Sequence, residues 1–112
     1  MEKILTNLIV ELRRGTQILF VLNALKEKQY GYSLLDQLEK DHVAIEAGTL
    51  YPLLRRLDEQ NLLISEWDTT ESRPRKYYQL SKEGLLVLDT LKQEWLNLQN
   101  EMSLLFKENS HE

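Results

Sequence analysis

The stretch of sequence that decides the fold is Gly48–Leu63, which reads GTLYPLLRRLDEQNLL. In its first half, leucine recurs at the i, i+3, i+4 and i+7 spacing that is typical of one face of an amphipathic helix. These leucines are Leu50, Leu53, Leu54 and Leu57. If they are buried, the opposite face presents small, polar and basic side chains. That face comprises Gly48, Thr49, Pro52 and Arg55, with Tyr51 and Arg56 near its flank.

Pro52 leaves the start of this helix open between two positions. With Thr49 as the N-cap, Pro52 falls at the third helical position, where its absent N–H is not missed. A start at Ala47 would instead cost one intrahelical hydrogen bond and bend the first turn. The sequence does not choose between the two starts.

Three further helices are predicted before this one, because apolar residues recur there at helical spacing. The three stripes run from Ile4 to Leu12, from Ile18 to Leu25 and from Leu34 to Leu38. Thr16 follows the break between the first two stripes and could cap the second helix. Tyr30-Gly31-Tyr32 is predicted to be a turn around a permissive glycine.

After Gln60 the sequence changes to two segments that suit strands, at residues 62–67 and 76–80. The polar residues 68–74 between them predict an antiparallel hairpin with a long loop, and Ser81 is predicted to cap a last helix. In that helix apolar residues follow a 3, 4, 3, 4, 3 spacing, at Leu88, Leu91, Trp95, Leu98, Met102 and Leu105. Because this seam extends beyond what a small core can cover, we expect it to pack on a partner.

The order of these elements is that of a winged helix-turn-helix: helices, a hairpin and then a long helix. The expected fold class is mainly α, with a small β wing and a long C-terminal dimerisation helix. We expect residues 1–80 to form the winged helix-turn-helix domain and residues 81–112 to form the dimerisation helix. Ile4, Leu5 and Leu8 of the first helix lack a partner in the predicted core, so we expect them to pack on a second copy of the chain.

Length and composition restrict the class of protein. A chain of 112 residues with 42% hydrophobic residues, 29% charged residues, four Gly and two Pro is one small domain, neither disordered nor fibrous. The absence of cysteine excludes disulfides and thiolate catalysis. The N-terminus lacks the apolar region of a signal peptide, and no run reaches about 18 apolar residues. The sequence therefore predicts a soluble cytoplasmic protein without membrane contact.

The distribution of charge matters more than its sum. The net charge of −4 argues weakly against nucleic acid as a partner. Residues 81–112 contain three Lys and six Asp or Glu, which gives −3 and leaves −1 for residues 1–80. Within residues 71–79, Arg73, Arg75 and Lys76 stand against Glu71 alone, a local charge of +2. The local charge therefore permits DNA binding.

No residue pattern favours catalysis. His42 and His111 lie far apart, and neither has a second histidine or a carboxylate at metal-binding spacing. The sequence contains no glycine-rich phosphate loop and no nucleophile motif. We expect neither a metal nor a cofactor, and we do not expect an enzyme.

Two motifs carry a resemblance to a known family. Gly48–Leu63 and the later stretch Arg73–Gly84, RPRKYYQLSKEG, together resemble the PadR family of bacterial transcriptional regulators, in particular its short members with one C-terminal helix. The resemblance implies a ligand-responsive repressor that binds an inverted-repeat operator in double-stranded DNA as a homodimer. One departure is the wing tip at residues 68–72, which has no glycine and is less basic than in many members. This departure argues against deep insertion of the wing tip into the minor groove.

The chemistry of the exposed residues agrees with the roles that the resemblance implies. Thr49 can reach a base edge or a thymine methyl group, and Arg55 can bind guanine in bidentate fashion. The hydroxyl of Tyr51 suits a phosphate, which positions the protein without specifying sequence. The expected DNA-binding residues are Gly48, Thr49, Tyr51, Pro52, Arg55, Arg73, Arg75 and Lys76.

Simpler interpretations stay open. Arg55 and Arg56 can form an ordinary solvated helix face, and the basic residues of the hairpin can merely protect strand edges. The acidic composition also leaves a second function class: a winged-helix module that binds protein and not DNA. DNA binding that weakens steeply with salt would separate the two classes.

Trp95 is large for its position in the seam, where β-branched residues fit best in a two-stranded coil. Some PadR-like regulators that this chain resembles bind flat, apolar effectors against an aromatic residue of the corresponding helix. The resemblance thus implies a slot for a planar aromatic compound lined by Trp95, Leu91, Leu98 and Leu8. The alternative is that Trp95 only fills the interface.

Overall fold

The computed structural model describes residues 1–110, so His111 lies outside the described residues. The elements in chain order are α1 (Glu2–Arg14), α2 (Gln17–Ala24), β1 (Gln29–Tyr30), α3 (Gly31–Lys40), α4 (Ala47–Glu59), β2 (Leu63–Asp68), β3 (Arg75–Leu80) and α5 (Lys82–Ser110). The predicted fold class is confirmed: helices dominate, a small antiparallel sheet forms the wing, and the last helix is long. Helices α3 and α4 form the helix-turn-helix.

Leucines from α2, α3, α4, β2, β3 and the start of α5 contribute to one hydrophobic core. The four leucines that define the stripe of α4 are all buried in it. They pack in one cluster with Val21, Leu22, Leu25, Leu34, Leu38, Leu63, Leu80 and Leu88. Burial of a leucine stabilises the fold by about 1.5–3 kcal/mol, so rotation of α4 about its axis would be costly. The core thereby holds the polar face of α4 towards solvent.

Helix α4 takes the earlier of its two possible starts. Glu46 is the N-cap, and the amides of Thr49 and Leu50 both donate to the Glu46 carbonyl at 2.9 Å. Pro52 therefore lies inside the helix, where the carbonyl of Gly48 loses its usual amide donor. The alternative start with Thr49 as the N-cap is thus wrong. The beginning of α4 has one backbone hydrogen bond fewer than an ordinary helix.

The wing is a three-stranded sheet in the order β1-β3-β2, where the sequence predicted only a hairpin. The predicted turn at Tyr30-Gly31-Tyr32 is wrong, because Tyr30 pairs with β3 and Gly31 begins α3. No glycine has a positive φ, so Gly31 is not needed for a turn. A Cβ at Gly31 would lie 2.6 Å from Cε1 of Tyr51, which makes close packing the reason for this glycine.

Two predicted caps have opposite outcomes. Ser81 caps α5 as predicted, because its Oγ accepts a hydrogen bond from the amide of Gly84 at 3.0 Å. Thr16 stands at the N-cap of α2, but its hydroxyl donates backwards to the carbonyl of Arg13 at 2.8 Å. The side chain of Thr16 therefore ties α2 to the end of α1 and caps neither helix amide.

Helices α1 and α5 differ from the rest in how little of their surface is covered. No residue of α1 is buried. Leu88 of α5 is only 1% exposed within the core of the chain, so its assignment to a partner surface is wrong. The heptad spacing of Leu88 reflects packing inside the subunit. Among the described residues, no helix is long and apolar enough to cross a membrane.

Candidate nucleic-acid interface

The outward face of α4 carries the residues predicted to read DNA. Gly48, Thr49, Pro52 and Arg55 are all exposed, and a Cβ at Gly48 would meet no atom within 4 Å. Tyr51 is 39% exposed because part of its ring packs over Gly31. The structure therefore places these five residues together on one accessible surface.

The register of the hairpin sorts its side chains onto two faces. Because successive strand residues point to opposite sides, Lys76 and its partner Trp67 share one face with the buried pair Leu63 and Leu80. Arg75 and its partner Asp68 share the other face. Arg75 and Lys76 are adjacent in the sequence, but they therefore lie on opposite faces of the hairpin and contact different residues.

Lys76 links the wing to the end of α4. Its Nζ lies 3.4 Å from Oδ2 of Asp58, and the same oxygen accepts a hydrogen bond from Oγ of Ser65 at 2.8 Å. The ammonium also lies 5.7 Å from the ring centroid of Trp67 and 5.8 Å from that of Tyr78. Lys76 therefore has a structural role in addition to its predicted contact with DNA.

Asp68 organises the start of the wing tip. Its Oδ2 accepts a hydrogen bond from the hydroxyl of Tyr30, and its Oδ1 accepts bonds from the amide of Thr70 at 3.0 Å and the hydroxyl of Thr70 at 2.7 Å. The Tyr30 bond, followed by those from Thr70, lowers the pKa of Asp68 to about 2. The bond to the Asp68 carboxylate also raises the pKa of Tyr30.

Arg75 is held by two tyrosines and a carboxylate. One nitrogen donates to the hydroxyl of Tyr32 at 2.7 Å, and the other lies 2.6 Å from Oε2 of Glu71. The rings of Tyr30 and Tyr32 are stacked with centroids 5.7 Å apart and planes 9° apart. The guanidinium lies 5.0 Å from the first centroid and 5.6 Å from the second. Asp68, the partner of Arg75 across the hairpin, is a fourth neighbouring group. The sequence pattern assigned Arg75 to DNA but did not indicate these four neighbours.

The other arginines of the candidate interface have no such partners. Among the side chains that the structure describes, Arg55, Arg56 and Arg73 form neither an ion pair nor a hydrogen bond. Arg55 and Arg56 belong to α4, and Arg73 belongs to the wing loop. These exposed cations are available to an anionic partner.

A second surface is apolar. Apart from the buried Leu88, the residues predicted to form the dimer interface are between 42% exposed (Trp95) and 62% exposed (Ile4). The exception is Leu91, which is half-buried. The exposed ones are Ile4, Leu5, Leu8, Trp95, Leu98, Met102 and Leu105. They lie on α1 and on the part of α5 beyond the core.

Trp95 also lines a groove of about 930 Å³ within one chain, between α2, α5 and the connection before α4. Its lining includes the apolar side chains of Leu19, Phe20 and Leu96, together with His42. Of the predicted slot residues, only Trp95 lines this groove; Leu8, Leu91 and Leu98 do not. Within the described part of the chain, no group of three acidic, histidine or cysteine side chains could hold a metal ion.

Comparison with known proteins agrees with the resemblance seen in the sequence. Residues 21–90 match the transcriptional regulator PadR-like family. The chain is 32% identical over 79 residues to the transcriptional regulator Rv3488 of Mycobacterium tuberculosis, covering 70% of this chain and 74% of that protein.

Solved structures give the same result. A PadR family transcriptional regulator from Eggerthella lenta is 46% identical, with a TM-score of 0.90 and coverage of 94% of both chains. A PadR-like transcription factor from Bacteroides fragilis is 33% identical, with a TM-score of 0.72 and coverage of 87% of this chain and 96% of that one. Coverage of 94% leaves out only about 7 of 112 residues, so the first match extends into both α1 and α5.

The hydrogen bond from Tyr30 predicts a shift in the titration of Asp68. Because the pKa of Asp68 lies below the value of about 3.9 usual for aspartate, the stabilisation by its carboxylate is complete above about pH 4 and is lost as the pH falls towards 2. In Tyr30→Phe we expect the pKa of Asp68 to rise towards its usual value, measured by NMR titration of the carboxyl carbon. Tyr77→Phe is the control, since Tyr77 donates to Glu66. An unchanged Asp68 titration in Tyr30→Phe would contradict the assignment.

Proposed function

This chain belongs to the PadR-like family of transcriptional regulators, and we propose that it is a sequence-specific DNA-binding repressor that acts as a homodimer in the bacterial cytoplasm. The observation that carries the proposal is the exposed face of α4, where unpaired arginines accompany small residues at a helix start. Because the core fixes the rotation of α4, this face is presented as a rigid surface.

The start of α4 suits an approach to the DNA backbone. The first amides of a helix lack acceptors and carry the positive end of the helix dipole, and such ends favour phosphate. Gly48 leaves open space around this end, which permits close approach of another backbone. Thr49 and Arg55 follow on the same face and have the side chains that read base edges in the major groove.

The unpaired arginines favour DNA over a protein partner without DNA. Of the three wing cations, Arg75 and Lys76 each form an ion pair with a carboxylate, whereas Arg73 does not. Arg73 can therefore bind a phosphate without first breaking an ion pair. Because Lys76 is paired with Asp58, we expect Arg73 to make the main contact of the wing with a DNA phosphate. Arginine side chains bind both the DNA backbone and base edges, so unpaired arginines on α4 and on the wing support DNA as the partner.

We expect Arg55→Ala and Arg73→Ala to weaken DNA binding in different ways. Loss of a base-edge contact at Arg55 should relax the preference at one base pair by about 1–3 kcal/mol, whereas loss of Arg73 should weaken all sequences equally and reduce the salt slope by about one. Operators selected from random DNA, followed by titration at several salt concentrations, measure both effects. Lys92→Ala removes the same charge from α5 and serves as the control. If the wild-type chain shows no salt-dependent binding, the protein-interaction function is favoured.

The homodimer is supported by the apolar surface of α1 and α5. The large hydrophobic side chains of this surface are between 42% and 62% exposed in the single chain, and many such side chains on one protein are typical of an interaction surface. In this proposal the first turns of α5 belong to the subunit core through Leu88, and the rest of α5 pairs with its symmetry mate. Two-fold symmetry would present two α4 helices to an inverted repeat with half-sites about 34–36 Å apart.

We expect Leu98→Glu to weaken the dimer by about 100-fold or more, because each copy would place a carboxylate in an apolar seam. Analytical ultracentrifugation should show a folded monomer at micromolar concentration, and DNA affinity should fall together with dimerisation. Ile64→Glu is the matched control, since Ile64 is equally exposed on the wing and outside the seam. A dimer of wild-type affinity in Leu98→Glu would contradict the proposed interface.

A ligand response is supported by the groove beside Trp95. The groove is mostly apolar, and its lining includes Asp41–Ala44 in the connection between α3 and α4. His42 in this connection has a left-handed backbone with a φ of 62°. A planar aromatic compound stacked on the indole would therefore contact the segment that sets the position of α4.

We expect planar aromatic compounds to quench the emission of Trp95 in Trp67→Phe, which leaves Trp95 as the only indole. By linkage, operator DNA should weaken this binding by the same factor by which the compound weakens DNA binding. The titration is repeated with Trp95→Leu, which should show no saturable binding by calorimetry. Emission that does not respond to a varied set of such compounds would leave Trp95 as interface packing.

A further inference from the structure

The environment of Arg75 differs from that of an ordinary surface ion pair. The side chain of Arg75 is 31% exposed, whereas the side chain of its partner Glu71 is 67% exposed in the wing loop. The tyrosine side of the guanidinium is fixed by the hydrogen bond to Tyr32 and by the face of Tyr30. Glu71 is therefore the more exposed member of the ion pair.

Tyr30 is itself held in place. Its hydroxyl donates to Asp68, and its ring meets that of Tyr77 edge-on with centroids 5.9 Å apart. The orientation of Arg75 therefore depends on a chain of contacts from Asp68 through Tyr30. A cation fixed in this way loses little side-chain entropy when it binds an anion, in contrast to the partnerless side chain of Arg73.

Glu71 presents to Arg75 a group that resembles a phosphate. A carboxylate and a phosphodiester both offer oxygens to the planar fork of a guanidinium. The ion pair with Glu71 and the bond with Tyr32 leave further N–H groups of Arg75 available. Because exposed ion pairs contribute little to stability, the exchange of one anion for the other costs the fold little.

We propose that Glu71 occupies the position of a DNA phosphate on Arg75, and that DNA displaces this carboxylate from a guanidinium already oriented by Tyr30 and Tyr32. The inference rests on the proposed DNA binding and extends it. Arg75 is then a phosphate-binding residue, Tyr30, Tyr32 and Asp68 are positioning residues, and Glu71 is an internal competitor that lowers affinity for any DNA sequence.

The test compares Glu71→Gln with the wild-type chain on a fluorescein-labelled random-sequence duplex of about 30 base pairs, long enough for two half-sites. In the wild type, binding of Arg75 to a phosphate releases a cation from the DNA, but the carboxylate freed from Arg75 attracts a cation from solution. The two changes offset each other and make the salt dependence shallower. We expect Glu71→Gln to bind roughly threefold to tenfold more tightly at low salt, and to steepen the slope of log affinity against log salt by about one.

Two controls isolate the role of Arg75. Glu66→Gln makes the same chemical change on the same hairpin, but Glu66 accepts a hydrogen bond from Tyr77 at 2.8 Å and pairs with no arginine. Its salt slope should equal that of the wild type. In an Arg75→Ala background, Glu71→Gln should no longer change the slope, because the competing pair is gone.

The outcomes separate this inference from the proposed function. Equal slopes for Glu71→Gln and Glu66→Gln, or a steeper slope for Glu71→Gln that persists without Arg75, would overturn the exchange while leaving DNA binding intact. Absence of salt-dependent binding by the wild-type chain would overturn the proposed function and the exchange together. A gain that requires both Arg75 and the loss of Glu71 supports the exchange.

Discussion

The arrangement of the candidate interface depends on the alternation of side chains along β3, because successive residues of a strand point to opposite faces. Leu80 is buried in the core opposite Leu63, and this pair fixes the register of the hairpin. Lys76 lies four residues before Leu80 and therefore shares its face, on the side of α4. Arg75 lies on the opposite face, beside β1. A slip of one residue would bring Gln79 into the core and exchange the surroundings of the two cations. An apolar contact thus determines which cation is tied to the helix and which is held by tyrosines.

The features that a local repeat encodes could be predicted from the sequence. The four leucines of α4 form one helical stripe, and all four are buried. Strands β2 and β3 lie within one residue of their predicted bounds, since strand-forming residues and a polar loop are local signals. The resemblance to the PadR family rests on contiguous motifs and is confirmed over residues 21–90. Pro52 left two possible starts for α4, and the structure has the earlier one, with Glu46 as the N-cap.

The features that depend on distant residues could not be predicted. Strand β1 has only two residues, too few to show alternation, and it is a strand because β3 supplies its partner. The bond between Tyr30 and Asp68 joins residues 38 apart, and the bond from Arg75 to Tyr32 joins residues 43 apart. Leu88 fits the heptad spacing of α5 and is nevertheless buried within the subunit. A spacing shows that a face is apolar, but it does not show what covers that face.

The pairing of cations explains how a chain with a net charge of −4 can present a basic surface. Arg75 and Lys76 each face a carboxylate, so their fields are largely compensated. Arg55, Arg56 and Arg73 have no such partner among the described side chains. Much of the acidic excess lies on α5, whose 29 residues extend about 43 Å at 1.5 Å per residue. Because screening acts over about 8 Å at physiological salt, carboxylates on its outer turns contribute little near its start. The charge near α4 therefore depends on which side chains are paired there, and the net charge of the chain does not describe it.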